Sequence, residues 1–451
     1  MPRSNPQPFL RIPPFPGHRA APIGYPGSSA CDAQELLATL RVARVGGAFW
    51  AAQPEIEIDG GLILAPDNAS QLAEMLAFAG QRKVFVLAGR ATRLPVGTVR
   101  LPDDCDPWWL ADRVAKAPDA EVWAGADHEM ALVAGITGCP LRLFGIGRFA
   151  RCDADPAGVA AQTICAFAYR NPFTGSEWSS ANAIAQLGEW RRLIDANREI
   201  GAVLGVAGWK QVTVTAQLWA GSGPVPYRRA LPHRPPAGKA IIAWKSRTGS
   251  RVLNRLEQEQ VRVGEIEDGF IRSSGLGANC VPPLSVIVDG SGIYFDPSGP
   301  SDLESLLENH PLNPSLRSRA SALRQRLVQE AVSKYAQGGA AIDRPDDGRR
   351  RVLVTGQVED DRSILTGGGG KSNLDLIRRA RELEPDAWIV YKPHPDVEAG
   401  HRKGYVSQSD ALCFANEIQR DAAIVPLIES VDALHVITSL AGFEALLRGK
   451  Q

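Results

Sequence analysis

The segment "GEIEDGFIRSSGLG", Gly264–Gly277, decides how this chain is read. An apolar run, "VRVGEI", leads into two adjacent carboxylates, Glu267 and Asp268, and a Gly/Ser-rich turn follows. The run predicts a strand, and the turn places both acids at its C-terminal end. Adjacent like charges repel. In a cleft they are pushed to different pKa values, and one of them is available as nucleophile or base.

Strands and helices alternate on both sides of this segment. Upstream lie "AIIAW" (strand) and "SRVLNRLEQEQ" (helix); downstream come "SVIVD" and "GIYFD" (strands), then helical segments to about residue 336. A polar stretch, "IDRPDDGRR", separates these from a second block: "RVLVTG" (strand), "SNLDLIRRARELEP" (helix), "AWIVY" and "ALHVI" (strands) and "SLAGFEALLRG" (helix). Two such blocks predict an α/β fold with two Rossmann-like lobes and a cleft between them, residues 201–340 and 345–451. Residues 1–30, proline-rich and without a signal-peptide apolar segment, are expected to form a disordered or extended tail. Residues 151–200 read as a helical linker, with Ile184, Leu187, Trp190, Leu193 and Ile194 at helix spacing. "GSGPVPYRRALPHRPPAGK", 222–239, reads as a long loop.

Residues 31–150 hold a hidden repeat. "VFVLAGRAT" (84–92) aligns with "WIVYKPHPD" (388–396), and "EVWAGADHEMALVAG" (121–135) with "HVITSLAGFEALLRG" (435–449). We therefore read 31–150 as a diverged half-copy of the last lobe, chance similarity between two βα units being the alternative. In this alignment His394 and Pro395 become Arg90 and Ala91, and Thr438 and Ser439 become Ala124 and Gly125, so the half-copy is expected to be non-catalytic. The first copy runs on into "ITGCPLRLFGIGRF", whereas the last lobe stops at "LLRGKQ". We expect a chain truncated before one further strand; the alternative is that the half-copy covers that edge.

Lysine plus arginine equals aspartate plus glutamate, 50 each in 451 residues, so no global basic field exists and duplex nucleic acid is not an expected partner. Seven cysteines without CxxC or Cys/His spacing point to a reducing compartment, against a disulfide scaffold or structural zinc. No apolar run reaches the roughly 18 residues of a membrane span. We expect a cytoplasmic protein, with any membrane association peripheral.

Three polar groups follow predicted strands on the edge where open α/β sheets bind ligands. Glu267, Asp268 and Gly269 follow the first; Lys392, His394 and Pro395 follow "AWIVY"; Thr438 and Ser439 follow "ALHVI" and open a helix. Hydroxyls and free N–H groups at a helix start suit a phosphate, with His394 and Lys392 to neutralise it. Alone, each motif is an ordinary turn, loop or cap. "TGGGGKS" (366–372) mimics a P-loop, but Leu365 stands where that pattern needs glycine. This loop, with Ser372 and Asn373 opening a helix, is still expected to approach donor or acceptor.

The combined set resembles GT-B glycosyltransferases that use CMP-activated acidic sugars, bacterial sialyltransferases among them. "EDGFIRSSGLG", "GQVEDD", "GGGGKSNLDLIRRAR", "VYKPHPDVEAG" and "SLAGFEALLRGK" resemble capsule polysaccharide synthesis proteins of the KpsC type, over roughly residues 165–451. The resemblance implies a GT-B-like pair of lobes and a retaining β-Kdo transferase, with CMP-Kdo as donor, a lipid-linked glycan as acceptor, and capsule assembly or export proteins as further partners. It implies Asp268 as the catalytic carboxylate tuned by Glu267, and His394, Thr438 and Ser439 on the CMP phosphate. Gln357 and Asp361 would face sugar or acceptor, Glu429 the nucleotide, and Arg272 and Lys392 the Kdo carboxylate. It implies no cofactor and no metal, because fixed donors can neutralise the single phosphate of CMP. Lys245 after Trp244, where the family often has glycine, is a departure. A CMP-sialic acid or other nonulosonate transferase, and a non-catalytic capsule scaffold, are the alternatives.

Overall fold

The computed structural model describes residues 8–229, 238–275, 280–312, 314–334, 342 and 347–451. Parts of the 222–239 loop, of the turn after Asp268 and of the 335–346 stretch lie outside the described residues. The chain forms two units, Met1–Glu199 with Leu218–Val225, and Ile200–Gln217 with Pro226–Gln451.

The first unit opens on short strands β1 (Arg11–Ile12), β2 (Ala21–Pro22) and β3 (Gly24–Pro26), then α1 (Ala33–Ala43). A five-stranded parallel sheet follows: β4 (Gly61–Ala65), α2 (Ala69–Ala79), β5 (Val84–Leu87), β6 (Thr98–Leu101), α3 (Pro107–Lys116), β7 (Ala120–Gly125), α4 (Glu129–Thr137) and β8 (Leu141–Phe144), in the order β6-β5-β4-β7-β8. The unit closes with α5 (Pro156–Ile164), β9 (Phe167–Arg170), β10 (Glu177–Trp178) and α6 (Ser180–Arg198).

Three expectations are corrected here. The tail is not disordered over its described part. Phe9 and Leu10 are 1% and 2% exposed in the main core, the Phe9 carbonyl accepts from the Gly47 N–H, and Arg11 forks onto Glu129. Gly46, at φ 106°, leaves the space the Phe9 ring occupies. Second, residues 151–200 are no linker. α6 buries Ile184, Leu187 and Ile194 in the same core, and its Arg191 pairs with the fully buried Asp106 at 2.9 Å. Third, Cys31 and Cys165 form a disulfide with Cα atoms 6.4 Å apart, although the cysteine pattern argued against a disulfide scaffold.

The second unit contains two sheets. The first comprises β11 (Ile200–Leu204), α7 (Gly208–Gln217), β12 (Tyr227–Arg228), β13 (Ala240–Ala243), α8 (Ser250–Gln258), β14 (Val263–Asp268) and β15 (Val286–Asp289). Its order is β12-β11-β13-β14-β15, parallel except for the antiparallel β15. "GIYFD" is not a strand; Tyr294 and Phe295 lie in a turn, with the Tyr294 ring edge-on to Phe270. Two helices follow, α9 (Asp302–Asn309) and α10 (Pro314–Gln329).

The second sheet comprises β16 (Arg351–Thr355), α11 (Arg362–Gly367), α12 (Asn373–Leu383), β17 (Trp388–Lys392), α13 (Pro395–Glu398), α14 (Gln408–Leu412), β18 (Glu417–Ile418), α15 (Ile424–Glu429), β19 (Ala433–His435) and α16 (Ala441–Leu447). It is parallel, in the order β18-β17-β16-β19. The unit is thus a GT-B-like pair of Rossmann-like α/β lobes.

The order β18-β17-β16-β19 repeats β6-β5-β4-β7 of the first unit, with α12, α15 and α16 where the first unit has α2, α3 and α4; α11, α13 and α14 have no counterpart among the helices of that sheet. The register differs from the sequence alignment in one place. Cys139 N–H bonds the Ala134 carbonyl as Lys450 N–H bonds that of Ala445, and Gly138 and Gly449 both end their helices in the left-handed region. Ser439 therefore matches His128, not Gly125, and Thr438 matches Asp127, not Ala124.

Candidate functional site

Strand β14 ends in Glu265, Ile266, Glu267 and Asp268. Period-two alternation sends Glu265 and Glu267 to one face and Asp268 to the other. The Asp268 carboxylate is gripped by two cations: Lys210 Nζ lies 3.1 Å from Oδ1 and Arg272 Nε 2.6 Å from Oδ2. Arg272 is 1% exposed; Nη1 donates to Ser273 Oγ at 2.6 Å, and Nη2 has no hydrogen-bond partner among the described residues. The Lys210 ammonium sits 3.4 Å from the Trp244 ring centroid. Burial lowers its pKa, and the charge of Asp268 works against that shift. Gly269 follows because its N–H bonds the Ser285 carbonyl at 2.9 Å and a Cβ there would overlap the Ser285 side chain.

On the other face, buried Glu265 is held by Arg362 and, at 3.1 Å, by Lys245, which accommodates the departure after Trp244. Arg362 comes from α11 in the other lobe, and also lies 3.8 Å from Glu267 and 3.9 Å from Asp296. Glu267 is pushed up to about 7, first by burial and then by the neighbouring charge of Asp268, with Lys210 opposing and Asp361 adding.

The C-terminal sheet presents its strand ends to this region. His394 caps α13, and its Nδ1 accepts the Asp396 N–H at 3.2 Å. The proton of the neutral ring therefore sits on Nε2. Burial lowers the His394 pKa; Asp396 and Asp361 oppose that shift, and Arg402 and Lys334 add to it. Asp361 and Lys334 thus act on both Glu267 and His394. A second bridge between the lobes is the Phe270–Phe443 ring pair, 4.8 Å between centroids.

Gln357 follows β16 and Thr438 follows β19, at the point where strand order reverses. Gln357 Oε1 accepts the N–H groups of Ile437 and Thr438 at 3.1 and 2.9 Å, and Nε2 donates to Thr438 Oγ1 at 2.9 Å. Gln357 thus positions the turn, where sugar or acceptor contact was expected. Asn373, 1% exposed, clamps the Gln357 backbone from both sides and reaches the Gly404 carbonyl. Ser372 closes a capping box with Asp375. Asp361 caps α11 through Ser363, and Ser439 Oγ accepts the Ala441 N–H at 3.2 Å.

The structure therefore brings Asp268, Glu267, Asp361 and His394 to one region, with Thr438 tied to α11 through Ser363 at 3.3 Å. Pro395 is the first residue of α13. Lys392 is directed elsewhere, donating to the Arg420 carbonyl at 3.1 Å. Glu429 ends α15, 3.9 Å from Arg448 at the C-terminal end of α16, and its carbonyl accepts from Lys450. Lys210, Trp244, Glu265, Lys334 and Arg362 were missed. Lys210 and Trp244 had a readable signal: each follows a strand of the first lobe, β11 and β13, between which strand order reverses. Among the described residues no group of three or more His, Cys, Asp or Glu side chains is placed to hold a metal ion.

A family model described as capsule polysaccharide biosynthesis protein matches residues 239–341 and 336–451. The capsule polysaccharide modification protein LipA of Neisseria meningitidis serogroup A is 37% identical over 289 residues, 63% of this chain and 41% of LipA. The lipopolysaccharide-processing protein LpsZ of Rhizobium meliloti is 40% identical over 218 residues, 47% of this chain and 50% of LpsZ. The chain spans half or less of the length of these relatives. Among solved structures, the beta Kdo 2,4 transferase of Thermosulfurimonas dismutans KpsC aligns at 28% identity and a TM-score of 0.46, over 56% of this chain and 78% of that one.

Proposed function

We propose, from the match of residues 239–451 to the capsule polysaccharide biosynthesis protein family, that the chain is a capsule glycosyltransferase that moves Kdo from CMP-Kdo to a lipid-linked Kdo acceptor with retention. One observation carries the reading: Asp268, at a strand's C-terminal end, is a carboxylate oriented by two buried cations.

In this mechanism one Asp268 oxygen attacks the anomeric carbon. The bond to the phosphate oxygen breaks, and CMP leaves with the electron pair. Lys210 and Arg272 hold the carboxylate in line, and each oxygen keeps a lone pair beyond the one its cation uses. Glu267, near neutrality in pKa, takes the proton of the acceptor hydroxyl as that oxygen attacks the glycosyl ester. The ester bond breaks, Asp268 is regenerated, and two inversions give net retention. His394 donates from Nε2 to the departing phosphate. Nη2 of Arg272, without a partner among the described residues, is the group assigned to the donor's carboxylate.

The test is incubation with CMP-Kdo and a Kdo-terminated lipid acceptor, read by mass spectrometry, with CMP-sialic acid run in parallel. Product from CMP-Kdo alone supports the assignment. Product from CMP-sialic acid alone moves it to another nonulosonate, and no product with either donor leaves a binding scaffold.

A further inference from the structure

Helix α10 carries a face that the proposed transferase chemistry does not use. Over its 16 residues, "PSLRSRASALRQRLVQ", it has four arginines and no acid. At about 100° per residue, Leu316, Ala320, Leu323 and Leu327 fall on one narrow stripe. Arg317 and Arg324 flank the stripe on one side, Arg319 and Arg326 on the other. Ser318, Ser321, Gln325 and Gln329 take the opposite face. Leucines so placed on a soluble helix normally meet a core; Leu316 and Leu327 are half-buried, yet Leu323, at the middle of the stripe, is 58% exposed and Ala320 beside it is exposed. All four arginines are exposed, and Leu312, 57% exposed, stands just before the helix, its carbonyl accepting from Arg317.

We propose that α10 docks this lobe on an anionic phospholipid bilayer, its leucine stripe entering the headgroup boundary and its arginines meeting lipid phosphates on either side. The charge pattern selects this occupant. A protein groove would be served by the leucines alone, whereas cations in paired rows beside an apolar stripe let long side chains reach headgroups while the helix lies flat. Acid-free helix faces also suit the negative potential of such a surface, each arginine there strengthening binding about fivefold. The inference rests on the proposed lipid-linked acceptor for its purpose, because docking would bring the catalytic lobes to a substrate anchored in the same surface.

The experiment is co-sedimentation of the full chain with vesicles of phosphatidylcholine, with and without phosphatidylglycerol, at low and high salt. Binding is expected to the phosphatidylglycerol vesicles only, and to fall with salt. Replacing the arginines together (R317Q, R319Q, R324Q and R326Q) should lower it several hundredfold, and Leu323→Ser alone severalfold, with melting unchanged because these side chains are exposed. If the quadruple variant does not fold, R324Q with L323S is the substitute. Wild-type binding by a folded variant, or equal binding to pure phosphatidylcholine, overturns the proposal. Transfer from CMP-Kdo to a short water-soluble Kdo acceptor should be unchanged in all variants. Failure of that transfer in the wild type would sink the transferase reading and leave the vesicle result standing.

Discussion

Gln357 holds Thr438 twice, accepting its backbone N–H and donating to its hydroxyl, both at 2.9 Å. In the first unit Asp67 occupies the same station, accepting the Asp127 N–H at 3.1 Å. The two turns share a fold and differ in charge: a neutral amide at one, two carboxylates at the other. On the proposed function, the first would accommodate a phosphate and the second would repel it. CMP should bind one site per chain, and Asp67→Asn should leave its affinity unchanged, whereas Gln357→Glu should weaken it about tenfold or more. Calorimetry checks both, and a second CMP site in the first unit would contradict the comparison.

Asp268→Asn should abolish transfer while leaving CMP binding in place. It also removes the charge facing two buried cations, and breaking such pairs costs roughly 3–5 kcal/mol. The variant should therefore fold with a visibly lower Tm. More than a few per cent of wild-type turnover in a folded Asp268→Asn protein would exclude it as nucleophile.

Lys210→Met keeps the aliphatic contact with Trp244 and removes one of the two groups orienting Asp268. We expect kcat to fall at least tenfold with the KM for donor little changed. A rise in KM at constant kcat would instead place Lys210 in donor binding.

His394→Ala should weaken CMP binding about tenfold to a hundredfold, since a hydrogen bond to a charged group is worth roughly 1.5–3 kcal/mol. Calorimetry with an unchanged Kd would remove His394 from the phosphate.

Glu267 makes stability depend on pH in a definite direction. Its pKa rises from 4.5 to about 7 on folding, so in that window the folded protein holds a proton that the unfolded chain has released. The contribution is fully present below 4.5 and is lost as pH rises through about 7, a change of about 3 kcal/mol at most. Glu267→Gln should flatten this part of the Tm-against-pH curve. An unchanged slope would mean that Glu267 is ionised throughout.

The lobes were legible because their strands are apolar runs ended by turn residues, as at "AIIAW" and "RVLVT". His394 and Thr438 were legible for the same reason, being the first polar groups past strand ends, and Glu267 and Asp268 were legible as the acids that close a strand. Burial was not legible. Phe9 and Leu10 sit among prolines that suggested disorder, and only packing against the rest of the first unit reveals them as core. Pairing across long separations was equally hidden. Cys31 and Cys165 are 134 residues apart, and Arg362 and Glu265 belong to different lobes. Ser372 and Asn373 show the converse: hydroxyl and amide at a helix start suggested a ligand, and the structure uses them as a cap and a backbone clamp.

The alternation of β14 makes the proposed chemistry a matter of phase. Glu267 and Asp268 are neighbours along the chain, but the pleat turns one toward the Asp361–His394 side and the other toward Lys210 and Arg272. A slip of β14 by one residue against β13 and β15 would exchange their directions and still present an acid to each side. Each acid would then meet the other's surroundings, the longer glutamate between the two cations and the shorter aspartate on the side of Asp361 and His394. A single-residue insertion or deletion between β13 and β14 is thus a sharper perturbation than many substitutions. It would rephase the two groups and leave the sheet's hydrogen-bonding pattern available to re-form.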